Sequence, residues 1–263
     1  MRIFPAVVLL LALALAGCEP GNQNANRNAN SNSNQNANNQ PIFVPPQELK
    51  PTATLDPNFK PCNPYYPLVP GSLTKHTVQY SSGLGANATI IVDAVQEEGR
   101  TVFVETLQII DQSGGLQKYE KTVKRFVCDN GRLQLLSENT ENRINDKPNT
   151  AEYRLTNPAI FMTDPASMAR KSSTWSYTFK PTLSTPGRPP TVMQEPVYIK
   201  FEVVGTEEVT VPAGTFTATK VSRLVGKNQI FDFFVPGLGL VRRTSLEGTN
   251  WSLTEYSGLT PIQ

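Results

Sequence analysis

Tyr198-Ile199-Lys200-Phe201-Glu202-Val203 alternates polar and apolar side chains at every step, which puts Ile199, Phe201 and Val203 on one face. A period of two belongs to a strand, because successive Cβ atoms point to opposite sides of a pleated backbone. Outward from this stretch, strand candidates recur every ten to fifteen residues: 73–81, 87–97, 101–111, 116–128, 131–143, 173–180, 196–211, 214–225, 228–235, 239–247 and 250–256. Turn formers separate them, among them Ser82-Gly83, Glu98-Gly99, Ser113-Gly114-Gly115, Asn130-Gly131, Ala213-Gly214 and Pro236-Gly237. Asn130-Gly131 suits a type I′ hairpin, whose two central residues both need positive φ. The reading is all-β: an antiparallel meander forming an open or half-closed β-barrel.

Residues 144–171 break the rhythm. Pro148, Pro158 and Pro165 interrupt them, 166–171 has room for one short helix at most, and the stretch reads as a crossover between two halves. The most basic run, 118–125, puts Lys118, Glu120, Thr122 and Lys124 on one strand face, which reads as a solvated face.

The start of the chain has a different character. Residues 1–17 carry one positive charge, Arg2, then an unbroken apolar run from Val7 to Ala16, the layout of a secretory signal. The run is shorter than the roughly 20 apolar residues a membrane span needs. Leu15-Ala16-Gly17-Cys18 resembles the lipobox of bacterial lipoproteins, which implies cleavage before Cys18 and acylation of that residue, for instance with palmitate. Each buried methylene contributes roughly 0.8 kcal/mol, so two or more chains give stable membrane attachment. Glu19 stands where an Asp resembles an inner-membrane retention signal, which points to the outer membrane. Residues 18–61 then form a tether: 21–40 are almost entirely Asn, Gln, Ala and Ser, with no apolar supply to offset ordering entropy, and prolines 41, 45, 46, 51, 57 and 61 follow. As a coil, the tether spans roughly 35 Å.

The folded part is expected over 62–258, with 259–263 as a tail. About 200 residues are enough for one domain with a substantial core. With 24 basic against 22 acidic residues, no nucleic-acid partner is indicated. Lipidation would consume Cys18, leaving Cys62 and Cys128; an exported location favours a disulfide between them, and two buried free thiols are the alternative.

Near the C-terminus, Val211-Pro212-Ala213-Gly214-Thr215-Phe216 and Pro236-Gly237-Leu238-Gly239-Leu240-Val241, together with Tyr66-Pro67-Leu68 and Gly71, resemble elements of the TapB-like bacterial lipoproteins, a group of envelope β-domains. The resemblance covers about residues 62–258 and implies an antiparallel, half-closed barrel, with no established reaction or ligand. Leu73 departs from it, standing where such domains often carry Trp. Read physically, both elements are turns. A bulge at Gly239 would bring Asp232 opposite Arg242 as a cross-strand ion pair.

No catalytic constellation is legible. His76 is the single histidine and reads as part of an exposed strand face, and no Gly-x-Ser-x-Gly elbow or phosphate-cradling loop is present. Glu97-Glu98 and Glu207-Glu208 are adjacent, so a strand sends them to opposite faces. No metal site and no cofactor are expected, and the chain reads as a non-enzyme. Two readings remain: a protein-interaction or assembly module for envelope partners, or a binder of a lipid or other hydrophobic molecule with Phe231, Phe233, Phe234, Leu238, Leu240 and Trp251 lining the concave face. Apolar content of 38% favours the first, since a large empty apolar cavity would strain that supply.

Overall fold

The computed structural model describes residues 47–111, 118–144, 147–184 and 187–262. The expected signal, Cys18 and the Asn-rich stretch lie outside the described residues, as do the Ser113-Gly114-Gly115 turn and Thr185-Pro186. Residues 49–262 belong to one compact unit.

Within it, β1 (Leu73–Gln79), β2 (Gly85–Glu97), β3 (Arg100–Asp111), β4 (Lys118–Asp129), β5 (Arg132–Ile144) and β6 (Lys147–Met162) run as one antiparallel meander. A single helical turn, α1 (Pro165–Met168), leads to β7 (Thr174–Ser184) and the two-residue β8 (Thr191–Val192). A second meander follows: β9 (Val197–Val211), β10 (Gly214–Val225), β11 (Asn228–Val235), β12 (Gly239–Ser245) and β13 (Asn250–Ser257). The two meanders join edge to edge through β1 and β13, giving one 13-stranded sheet. At the other side β7 serves both: its first half pairs with β9, and Lys180–Ser184 pair with Arg154–Thr150 of β6. The barrel is half-closed, as the strand rhythm implied.

Residues 144–171 are not a bare crossover. They contain β6, a strand of 16 residues, and α1. Pro158 of β6 is accommodated by the register. Leu135 and Ser137 of β5 pair with Ala159 and Arg154, so Pro158 falls in a stretch that leaves the ladder, where a missing N–H costs nothing. Asp164 caps α1, its carboxylate accepting a hydrogen bond from the Ser167 amide at 3.0 Å.

The turns behave as their residues require. Asn130 and Gly131 both have positive φ, 51° and 78°, as a type I′ hairpin demands. At 236–238 Gly237 has φ 81° and Leu238 N–H bonds to Val235 O at 3.0 Å, a type II geometry.

One end of the barrel, the near end, carries the turns at 98–99, 130–131 and 236–238, α1 and the entering segment 49–72. Cys62 is bonded to Cys128 there, with Cα atoms 6.2 Å apart. The buried Asn63 side chain donates to Gly131 O at 2.7 Å and Thr163 O at 2.8 Å, stitching the segment to two loops. The main core lies at this end: Leu68, Phe103, Phe126, Leu133, Leu135, Met162, Met168, Trp175, Phe201 and Val203. The far end carries the turns at 80–84, 226–227 and 246–249 and the 187–196 connection.

Candidate functional site

The six residues expected to line an apolar hollow do not share one wall. Phe234 and Leu240 pack in or against the main core. Phe231, Phe233 and Leu238 belong to a second cluster with Val209, Val211, Ala218, Val241 and Leu253. Trp251 packs in a third, with Val78, Ala86 and Ala88. Phe233 and Phe234 are consecutive on β11, so they face opposite sides of the sheet. The second cluster is roofed by cations: Lys220 lies 4.9 Å from the Phe231 ring centre, and Arg242 lies 5.7 Å from that of Phe233.

Three other expectations need correction. His76 is not on an exposed face. It alternates with Thr74 and Val78 on the inner face of β1 and retains 2% of its surface, while Thr77 points outward. Its Nε2 is 3.0 Å from Leu240 O, and burial pushes its pKa down to about 4, so it is neutral and donates. Asp232 faces Arg243, not Arg242. The register shift falls between Phe233 and Phe234, which pair with Arg242 and Leu240, so Val241 is the extra residue and Gly239 pairs normally with Val235. Finally, the Glu120–Thr122–Lys124 face of β4 is the inner face: the same alternation continues to Phe126, which is fully buried, and Thr122 is 4% exposed.

These corrections converge on a charged layer across the middle of the barrel interior. Each member is placed by strand register. On β3 and β4, Glu105 sits directly opposite Lys124, two residues along from the Phe103–Phe126 pair. Glu105 accepts from the Tyr66 hydroxyl at 2.6 Å and lies 3.6 Å from Lys124 Nζ. Across the interior, Asp232 of β11 opposes Val221 of β10 and Arg243 of β12. Its carboxylate accepts from Arg243 Nε at 2.5 Å, and its other oxygen is 3.2 Å from Arg223 Nε. Burial alone would raise the Asp232 pKa, but the Arg223 and Arg243 guanidiniums outweigh it and hold the carboxyl below its ordinary range.

Tyr66 and Tyr177 are pushed well above the usual phenol range, first by burial and then by the carboxylates of Glu105 and Glu138 respectively. Beyond them toward the far end, Thr122 and Thr140 share a hydrogen bond at 2.9 Å. Glu120 is pushed up to about 7, by burial and then by the neighbouring Glu138 carboxylate. The arrangement is a set of fixed positive and negative groups inside a sheet. It is suited to holding charge in place, and no nucleophile–base pair stands among these residues. Sequence reasoning missed this layer because inward-facing charges share the strand alternation of a solvated face. The signal that would have found it is Phe126, which shares the face of Lys124.

No protein-family model matches the chain, nor does any curated protein sequence. Among solved structures the chain is similar to a protein assigned as exported, with a YmcC-like fold, from Bacteroides fragilis. That match has 16% identity and a TM-score of 0.49, covering 74% of this chain and 100% of that one. It is also similar to a protein assigned as a lipoprotein from Parabacteroides distasonis, with 15% identity and a TM-score of 0.44, covering 75% of this chain and 100% of that one.

Proposed function

We propose that this chain is a lipid-anchored envelope protein, held to the outer membrane by acylated Cys18, whose β-domain is a non-catalytic protein-interaction module on a long polar leash. The lipobox-like Leu15-Ala16-Gly17-Cys18 and the Asn-rich stretch behind it support the anchor and the leash. The motif resemblance to TapB-like lipoproteins points the same way.

The observation that carries the choice between the two readings is the dispersal of Phe231, Phe233, Phe234, Leu238, Leu240 and Trp251 into three packed clusters. A lipid carrier needs those surfaces free and facing one space. Two neighbouring far-end turns carry exposed apolar residues, Leu84 at 37% and Leu246 at 72%, while other exposed apolar residues such as Leu55, Val95 and Ile262 are scattered over the domain. The turns bearing Leu84 and Leu246 are neighbours, since a Cβ on Gly248 would lie 3.0 Å from the Ser81 side chain.

Two experiments test this. Cys18→Ser should leave the protein unprocessed or soluble and free of radiolabelled fatty acid; a processed, membrane-pelleting variant refutes the anchor. Photo-crosslinkers at Leu84 and at Leu246 should capture the same envelope protein in intact cells, while one at Glu98 on the near end should not. Equal capture from both ends, or none from the rim, refutes the docking role.

A further inference from the structure

In the charged layer the cations keep more accessible surface than the two carboxylates that pair with them, while the inward-facing Glu120 and Glu138 are half-buried. Lys124, Arg223 and Arg243 keep 18%, 14% and 22% of their side-chain surface, whereas Glu105 and Asp232 keep 5% and 3%. All five face the interior by register. Inward-facing cations with accessible surface border space that water reaches.

Within that space Arg223 is incompletely satisfied. Its Nε and Nη2 are buried and have no hydrogen-bond acceptor; the 3.2 Å approach of Nε to Asp232 is an ion pair without hydrogen-bond alignment. Asp232 already accepts from Arg243, so one carboxylate serves two guanidiniums. A buried donor without a partner is costly, more so when charged, so such a group marks a place where an acceptor belongs. Arg cannot solve the problem by releasing its proton. Ring faces lie alongside: Lys124 sits 5.3 Å over Phe161, and Tyr177 is 6.5 Å from Phe161 and 6.2 Å from Phe179. Among the described residues, Glu138 on the opposite wall lies within reach of Arg223's field, and neither of the two buried Arg223 donors bonds to it.

We infer that the barrel interior is a binding site for a small oxyanion-bearing ligand, a carboxylate or phosphate compound, whose oxygens pair with the under-satisfied Arg223 guanidinium. Arg243 and Lys124 supply further positive field and the Phe161, Tyr177 and Phe179 rings cover the ligand's remaining surface. A guanidinium binds either oxyanion through paired N–H donors, so the two sources share one chemistry. Glu138 acts against binding, as the like-charged neighbour that a ligand must displace or tolerate. This site is independent of the rim proposed for protein docking and stands or falls separately from it.

The test is calorimetric titration of the detergent-solubilised mature chain with inorganic phosphate in one arm and succinate in another, with sodium chloride at matched ionic strength as reference. Saturable binding in at least one arm is expected; which arm saturates tells phosphate from carboxylate ligands. Arg223→Gln should weaken it tenfold or more, Lys124→Met several-fold, and Glu138→Gln should tighten it several-fold. Lys124→Met and Glu138→Gln keep the test decisive if Arg223→Gln does not fold. No saturation beyond the chloride reference in either arm, or saturation that none of the folded variants changes, overturns the site.

Discussion

On β3 and β4 two directly opposed pairs lie two residues apart: Phe103 with Phe126, and Glu105 with Lys124. The same two strands therefore build an apolar plug at the near end and an ion pair in the middle of the barrel, with Leu107–Thr122 and Ile109–Glu120 continuing outward. Both halves obey the same alternation, and both are largely shut off from solvent. What differs is how each half is held. The near half gains from removing apolar area from water, which is non-directional and indifferent to pH. The middle half gains only while each charge keeps its partner, because an uncompensated buried charge costs several kcal/mol. Stability and responsiveness are thus divided along the barrel axis.

The largest way to break that contrast is at the near end. Phe126→Ala removes a fully buried ring from the main core and should destabilise by about 4 kcal/mol at every pH from 5 to 8, measured by urea denaturation. A pH-dependent loss would mean that the two halves are not separate. In the middle layer, Asp232→Asn leaves Arg223 and Arg243 without their shared carboxylate and should cost about 3 kcal/mol. Unlike the Phe126 change, this loss should vanish if Arg223 and Arg243 are replaced by Met in the same chain.

Glu120 sharpens the contrast through pH. Its folded pKa of about 7 lies above the ordinary 4.5, so the folded state holds a proton that the unfolded chain has released. Its contribution to stability is complete below pH 4.5 and is lost as pH rises through 7. Glu120→Gln should therefore be more stable than the parent at pH 8, by about 1–2 kcal/mol once partial water access is discounted, and equal to it at pH 4. His76, held at about 4 against an ordinary 6.5, works in the other direction: its contribution is complete above 6.5 and lost as pH falls through 4. The smallest effect belongs to the near-end surface. Arg132→Ala, which breaks a 3.8 Å pair with Asp164 whose Arg132 side chain is 50% exposed, should change stability by less than about 0.5 kcal/mol.

The sheet was legible because its signal is local. Alternation in 198–203 and turn formers such as Asn130-Gly131 name strands and hairpins without knowledge of the partners, and eleven strand candidates meet strands of the structure. β6 was hidden by Pro148 and Pro158; the tolerance of Pro158 depends on where the β5–β6 ladder lapses, a property of two strands together. β8 is two residues long and has no period to read. The charged layer was hidden for a related reason. Lys124 is placed by Glu105, Asp232 by two arginines from different strands, and His76 by Leu240, and each pairing spans a distance in sequence that no local pattern records. One shifted register position on β12 exchanged Arg242 for Arg243 and with it an outward for an inward guanidinium.

The bond between Cys62 and Cys128 also has a mechanical meaning. Tension arriving along the chain from the N-terminal side first meets the Thr52 and Ala53 amides on Asp93, hydrogen bonds of 2.8 and 2.7 Å. Once these part, the load reaches Cys62, where a covalent link passes it into the end of β4. β1, eleven residues further on, is bypassed. A tug that would otherwise peel β1 away from β2 and β13 one rung at a time is carried along the axis of a strand flanked on both sides, and the whole head moves as one piece.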